Sequence, residues 1–227
     1  MWLGLDPLYW LILAPALILG LWAQARVKST FAEAERVRAP MSGAAAARFV
    51  LDSAGLQNVG IEPVQGFLSD HYDPRHKVLR LSPQVYQGQS MAAVGVAAHE
   101  AGHAIQDAKR YVPLVIRNAA VPVANFGGGI SIFLLLMGAM MEAANLVLLG
   151  IIAYSAVVFF QLVNLPVEFD ASNRAKAQLD ALGVVPRQQQ EHVRSVLNAA
   201  AWTYVAGTLQ AVLTLLYFIL RFGGSRR

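Results

Sequence analysis

His99, Glu100 and His103 lie in the run Val94-Gly95-Val96-Ala97-Ala98-His99-Glu100-Ala101-Gly102-His103-Ala104-Ile105-Gln106, a His-Glu-x-x-His pattern inside an apolar segment of helical composition. Positions four apart on an α-helix stand one above the other, so the two imidazoles address one point in space, where a zinc ion fits. Glu100 sits about 100° round the helix from His99. Its carboxylate can therefore reach a water on that metal without filling the primary shell, which is the place of a general base. Zinc lowers the pKa of its water toward roughly 7, and a neighbouring carboxylate then takes the proton as the oxygen attacks a carbonyl carbon. The chemistry implied is amide-bond hydrolysis. The competing explanation is a chance pattern in a helix. Against it, no other charged or imidazole group stands between Arg80 and Asp107. Burying these three without a metal would leave polar groups unpaired at roughly 1 to 3 kcal/mol each.

A catalytic zinc site takes three protein ligands and keeps a further position open. The sequence contains no cysteine, so a metal must be held by histidine and carboxylate, and disulfides are excluded. Of 227 residues, 56% are hydrophobic and only 14% charged, against roughly 25% charged in soluble domains. With a mean hydropathy of +0.45, this is the composition of a membrane protein. A net charge of +4 and a pI of about 9.6 would also fit a nucleic-acid binder. The basic residues are instead grouped where a membrane surface would meet them, and no nucleic-acid partner is expected.

A bilayer crossing takes about 20 apolar residues, and four stretches qualify. Pro7 to Ala25 carries no charge. A cleaved signal peptide ending at Ala23-Gln24-Ala25 is the rival reading. However, Asp6 stands where a signal peptide has Lys or Arg, and Arg26 and Lys28 follow the apolar run. The other stretches are Asn118 to Met141, Ala143 to Val167 and Ser195 to Leu220, with Glu142 at the tip of a hairpin between the second and third crossings. Gly127-Gly128-Gly129 would weaken or kink the second crossing, or admit a neighbouring helix.

Between the first two crossings the pattern changes. Ser29 to Arg38 reads as a helical extension or linker, and Ser42 caps a short helix through Ala44, Ala47, Phe49, Val50 and Leu51 that Gly55 stops. Ile61, Val64, Phe67 and Leu68 alternate loosely, Asp73-Pro74-Arg75 marks a turn, and Lys77 to Leu81 alternates as a strand. A small antiparallel sheet is thus predicted before the metal helix, with an edge that would suit an extended substrate backbone. Ser90 is the expected N-cap of the metal helix, which runs to about Arg110 and stops before Pro113. Gly95 and Gly102 inside it cost roughly 1 kcal/mol each relative to alanine, which makes sense where another backbone or the substrate comes close.

Lys and Arg set the orientation. With four crossings, the basic residues from Arg26 to Arg117 share a side with Arg174, Lys176, Arg187 and Arg194, and only Arg221, Arg226 and Arg227 face the other. The metal helix is therefore expected on the cytoplasmic side. Candidates for the third ligand are His71, His76, His192, Glu142, Glu168, Asp170 and Asp180. Glu142 falls on the opposite face. His71 and His76 flank a turn and His192 stands beside Arg194, so all three read as solvated. Glu168 emerges at the cytoplasmic end of the third crossing, beginning a helix that runs to Leu182 and ends at Gly183. A carboxylate at a membrane boundary is costly unless it is paired or binds a cation, which favours Glu168. Tyr204 is either a donor to a developing oxyanion or part of an interfacial aromatic belt.

His99-Glu100-Ala101-Gly102-His103, Pro166-Val167-Glu168-Phe169-Asp170-Ala171-Ser172 and His71-Tyr72-Asp73-Pro74-Arg75 together resemble the YugP-type neutral zinc metallopeptidases, membrane-bound bacterial proteins. The resemblance runs from the first crossing to Asn198-Ala199-Ala200. More distantly, the order of crossings and site is similar to that of HtpX-like quality-control proteases and CAAX prenyl proteases, whose third ligand is a Glu in a Glu-x-x-x-Asp pattern. Carried over, that resemblance makes Glu168 the ligand. The position of the Asp is Ser172, so a charged contact to a zinc-bound histidine is missing there, and Asp170 or Asp107 would have to replace it.

The reading is a mainly α membrane protein with four transmembrane helices and a small α+β zincin-like cytoplasmic lobe. The segments are transmembrane helix 1 over 1–25, the lobe over 26–117 with the metal helix at about 90–110, and a transmembrane hairpin over 118–167. A cytoplasmic helix carrying the third ligand follows over 168–194, then transmembrane helix 4 over 195–221 and a tail over 222–227. One zinc ion per chain would be bound by His99, His103 and Glu168, with Glu100 catalytic. The expected partners are a polypeptide substrate, unfolded or membrane-proximal, and the lipid bilayer. The expected location is the inner (plasma) membrane with the active site toward the cytoplasm. Two alternatives remain. One is a site-2-type intramembrane protease, whose partner motif fails at Leu179-Asp180-Ala181. The other is a catalytically inactive zinc-binding scaffold, for which Glu100 would be superfluous.

Overall fold

The computed structural model describes residues 6–66 and 69–222. Phe67 and Leu68 of the expected alternation, and Arg226 and Arg227 of the expected tail, lie outside the described residues. The chain divides into two compact units. A membrane unit comprises the described residues of Met1–Trp22, Val115–Pro166 and Thr203–Arg227, and a lobe comprises Ala23–Leu114 and Val167–Trp202.

Four helices among the described residues are long and apolar enough to cross a membrane: α1 (Pro7–Glu35), a helix at Val112–Met140, another at Ala144–Ala181, and a last one ending at Phe222. Leu11, Phe126, Phe133, Leu149 and Ile152 are exposed on them, an apolar surface that suits hydrocarbon rather than water. Within the membrane unit, Leu135, Val147, Tyr217 and Phe218 form a small core. Gly127 allows its neighbour to come close, because a Cβ there would meet the Ala153 carbonyl oxygen at 3.0 Å. The Gly127 to Gly129 run does not break its helix.

The helices exceed the apolar runs. α1 continues through Ser29 to Glu35, because Ala and Glu sustain a helix where hydropathy falls. Likewise, the residues after Val167 do not begin a new helix but extend the third crossing unbroken through Pro166 to Ala181.

In the lobe, α2 (Gly43–Ser53) is capped by Ser42, whose hydroxyl accepts the Ala45 N–H, and it stops before Gly55 at φ +75°. Three strands follow: β1 (Gly60–Pro63), β2 (His71–Asp73) and β3 (Val78–Leu81). The sheet is mixed and not wholly antiparallel as the sequence suggested. β2 pairs antiparallel with β3, but β1 runs parallel to it, with Gly60 opposite Val78. β3 takes the centre because Val78, Leu79 and Leu81 are buried, while Pro63 tolerates an edge, where its missing N–H removes no ladder bond. The β2–β3 turn is held by Asp73, whose carboxylate accepts the Arg75 and His76 N–H groups. Bonds from the His76 ring and Arg80 hold that carboxyl well below the ordinary range.

A short helix, α3 (Pro83–Tyr86), leads to α4 (Met91–Ala108), which is capped by Ser90 through the Ala93 N–H. Val94, Ala97 and Ala98 of α4 share one hydrophobic core with Leu51, Leu79, Leu81 and Leu179. The remaining helices are α5 (Val112–Met140), α6 (Ala144–Ala181) and α7 (Gln190–Phe222), the last preceded by a 3-10 turn at Arg187–Gln189. Glu142, at φ 52°, lies in the turn between α5 and α6.

Candidate metal centre

The centre is made by α4 and the lobe part of α6. Their approach depends on Gly102, where a Cβ would stand 2.6 Å from the Ala171 carbonyl oxygen and 3.2 Å from its Cα. Those are backbone atoms, which no rotamer change can move aside. The contact is centred between Glu168 and Ser172, one turn apart on α6, so it presents both to His99 and His103, one turn apart on α4. Gly102→Ala is therefore expected to destabilise the lobe by about 1–3 kcal/mol and to weaken metal binding as α6 moves off. Thermal unfolding in detergent and a zinc titration would read the two effects.

His99 Nε2 lies 3.3 Å from Glu168 Oε2 and His103 Nε2 lies 3.6 Å from it. The ligand atoms of all three residues fall within 4.8 Å of one another. Zinc holds nitrogen and oxygen at about 2.0–2.2 Å, which sets tetrahedral ligand atoms roughly 3.4 Å apart. The spacing fits a metal. Glu168 Oε2 is also buried without a hydrogen-bond partner, a position that costs free energy unless a cation fills it. The imidazoles stand nearly perpendicular, 84° between planes at 4.8 Å between centroids, so both nitrogens converge without the rings stacking.

Both histidines are held from behind. His99 Nδ1 meets the buried Ser172 hydroxyl at 3.1 Å, and His103 Nδ1 meets Gln106 Oε1 at 3.0 Å. Glu100 is buried, and its Oε2 accepts the Tyr72 backbone N–H at 3.0 Å. Tyr72 is itself tied down, its phenol donating to Asp107 at 2.7 Å, two turns along α4 from Glu100. Lys77 also pairs with Asp107. Burial and then Asp107 push the Tyr72 phenol far above its ordinary range, so it remains protonated. Burial opposes ionisation of Glu168, but the His103 and His99 imidazoles outweigh it and hold the carboxyl low. For His103, burial works against the charged form, yet Glu168 and Glu100 raise its pKa. A cluster this rich in negative charge is suited to a cation.

Residues 9–223 match the family described as "Putative neutral zinc metallopeptidase". The chain belongs to this family. It is 47% identical over 213 residues to "Putative membrane protease YugP" of Bacillus subtilis (strain 168), an alignment covering 93% of this chain and 95% of that protein. No solved structure gives a significant match. Together with the four apolar helices, these similarities make the chain a membrane protein of the zinc metallopeptidase family.

Of the third-ligand candidates, Glu168 joins His99 and His103. His71 lies on β2, where its Nδ1 meets the Ser69 carbonyl, and His76 bonds Asp73. His192 lies 3.9 Å from Glu33 and Asp180 pairs with Arg194. Tyr204 belongs to the membrane unit. The expectation that Asp170 or Asp107 contacts a ligand histidine directly is corrected. Asp170 reaches His103 only through Gln106, Asp107 serves Tyr72 and Lys77, and Ser172 takes the place beside His99. Sequence reasoning missed Gln106 and the Tyr72 N–H. The one available signal was Gln106 standing three residues after His103, on the same helix face.

Proposed function

We propose that the chain is a zinc metalloendopeptidase holding one zinc ion through His99, His103 and Glu168. The observation that carries this reading is the convergence of their ligand atoms on a buried carboxylate oxygen that has no other partner, with Glu100 beside them. Zinc held there supplies Lewis-acid polarisation of the scissile carbonyl and lowers the pKa of the attacking water. Glu100 takes the proton from that water and returns it to the leaving amine. One of its oxygens is anchored by the Tyr72 N–H, so the proton passes through the other. An inert structural site has no use for a carboxylate so placed.

The substrate class proposed is unfolded or membrane-proximal polypeptide. β2 pairs with β3 on one side and donates the Tyr72 N–H to Glu100 on the other, so the end of the sheet adjoins the general base, where a polypeptide substrate would have to lie. The positions of Lys and Arg support an inner (plasma) membrane protein with the lobe in the cytoplasm. The test is metal analysis and hydrolysis of a denatured protein such as casein by the purified full chain in detergent. One zinc per chain and cleavage abolished by 1,10-phenanthroline are expected. Zinc-loaded protein that cleaves no unfolded substrate would contradict the proposal.

A further inference from the structure

Gln106 is fully buried three residues beyond His103 on α4. Its Nε2 donates to the Val167 carbonyl at 2.7 Å and to the Asp170 carboxylate at 2.8 Å, while its Oε1 faces His103 Nδ1 at 3.0 Å. A carbonyl and a carboxylate can only accept, so the amide NH2 must face them. Turning the amide over would set oxygen against two acceptors in a buried site. Oε1 therefore points at His103, and because it has no proton to give, His103 Nδ1 must be the donor. A neutral imidazole protonated at Nδ1 carries its lone pair on Nε2, the atom 3.6 Å from Glu168 Oε2.

We infer that Gln106 is a positioning residue for the metal centre: clamped by Val167 and Asp170, it locks His103 in the tautomer and ring rotation that offer Nε2 to the ion. The inference rests on the zinc reading above. The clamp is itself secured. Asp170 pairs with Arg174, the Arg174 guanidinium lies 5.6 Å from the Tyr111 ring centroid, and the Tyr111 N–H donates to the Gln106 carbonyl. Each hydrogen bond in the line from Arg174 to His103 thus has one permitted direction. Ser172 differs, because a hydroxyl can donate or accept and so orients the His99 ring without choosing its tautomer.

The test is zinc affinity of the purified full chain in detergent, measured by competition with a chromophoric chelator. Gln106→Met keeps the volume but removes both ends of the clamp, and zinc should bind about 10–100-fold more weakly. The tautomer is read separately, from the nitrogen-15 shifts of ring-labelled histidines in the metal-free unaltered chain at a pH where the imidazoles are neutral: His103 should carry its proton on Nδ1. A merely space-filling role would leave the affinity of Gln106→Met unchanged. Unchanged affinity in Gln106→Met overturns the inference, and so does a His103 ring protonated on Nε2 in the unaltered chain, whether or not Gln106→Met folds. If the unaltered chain itself takes up no zinc, the zinc reading falls with it.

Discussion

Glu100→Gln is expected to retain zinc at the unaltered affinity and to lose about 10²–10⁴-fold in kcat. The amide occupies the same volume and, with its oxygen toward Tyr72, still accepts the backbone N–H, so the anchoring survives. It cannot take a proton from water. Glu100 lies outside the three-ligand group, so metal binding and hydrolysis separate in this one variant. Zinc content and cleavage of a denatured protein, measured on the same preparation, would show the separation. Unchanged turnover would remove Glu100 from the mechanism, whereas loss of zinc would make it a ligand.

Glu168→Gln is expected to fail at the earlier step. It removes the only anionic ligand from a group whose other members are neutral imidazoles, and it leaves a buried amide beside two nitrogens aimed at a cation. The loss of zinc affinity should exceed the roughly 10–100-fold typical of residues behind the ligands, and hydrolysis should fall with it. His103→Ala should behave alike. In the metal-free protein the substitution also removes the attraction of His103 and His99 that holds this carboxylate ionised, so the unfolding midpoint should fall as well. Isothermal titration with zinc, together with the unfolding midpoint of the metal-free chain, would separate the two effects. A zinc affinity that survives Glu168→Gln would exclude Glu168 as a ligand.

What the sequence disclosed followed the range of the interactions. His99, Glu100 and His103 were legible because helix periodicity alone places them, and the crossings were legible because composition alone marks them. Ser42 and Ser90 were readable as caps because a cap bonds only a few residues ahead. Glu168 stood out as a costly charge at a boundary, and the family resemblance made it the ligand.

The remainder depended on distant partners. Ser172 meets His99 across 73 residues and Gln106 meets Val167 across 61, so no local pattern announces either pair. β2 has three residues and little apolar character, and it exists because β3 offers an edge. The parallel placement of β1 likewise reflects the burial of β3 rather than any turn signal. The helical extension read at Ser29 is present as far as Glu35, whereas the continuation of the third crossing past Val167 was missed because hydropathy falls there while helix propensity does not.

The most direct measurement is a zinc-edge anomalous difference map from crystals of the full chain. One peak should lie about 2.0–2.2 Å from His99 Nε2, His103 Nε2 and a Glu168 carboxylate oxygen, with Glu100 outside that distance. A peak elsewhere in the lobe, or one bound by the two histidines with Glu168 turned away, would contradict the three-ligand centre.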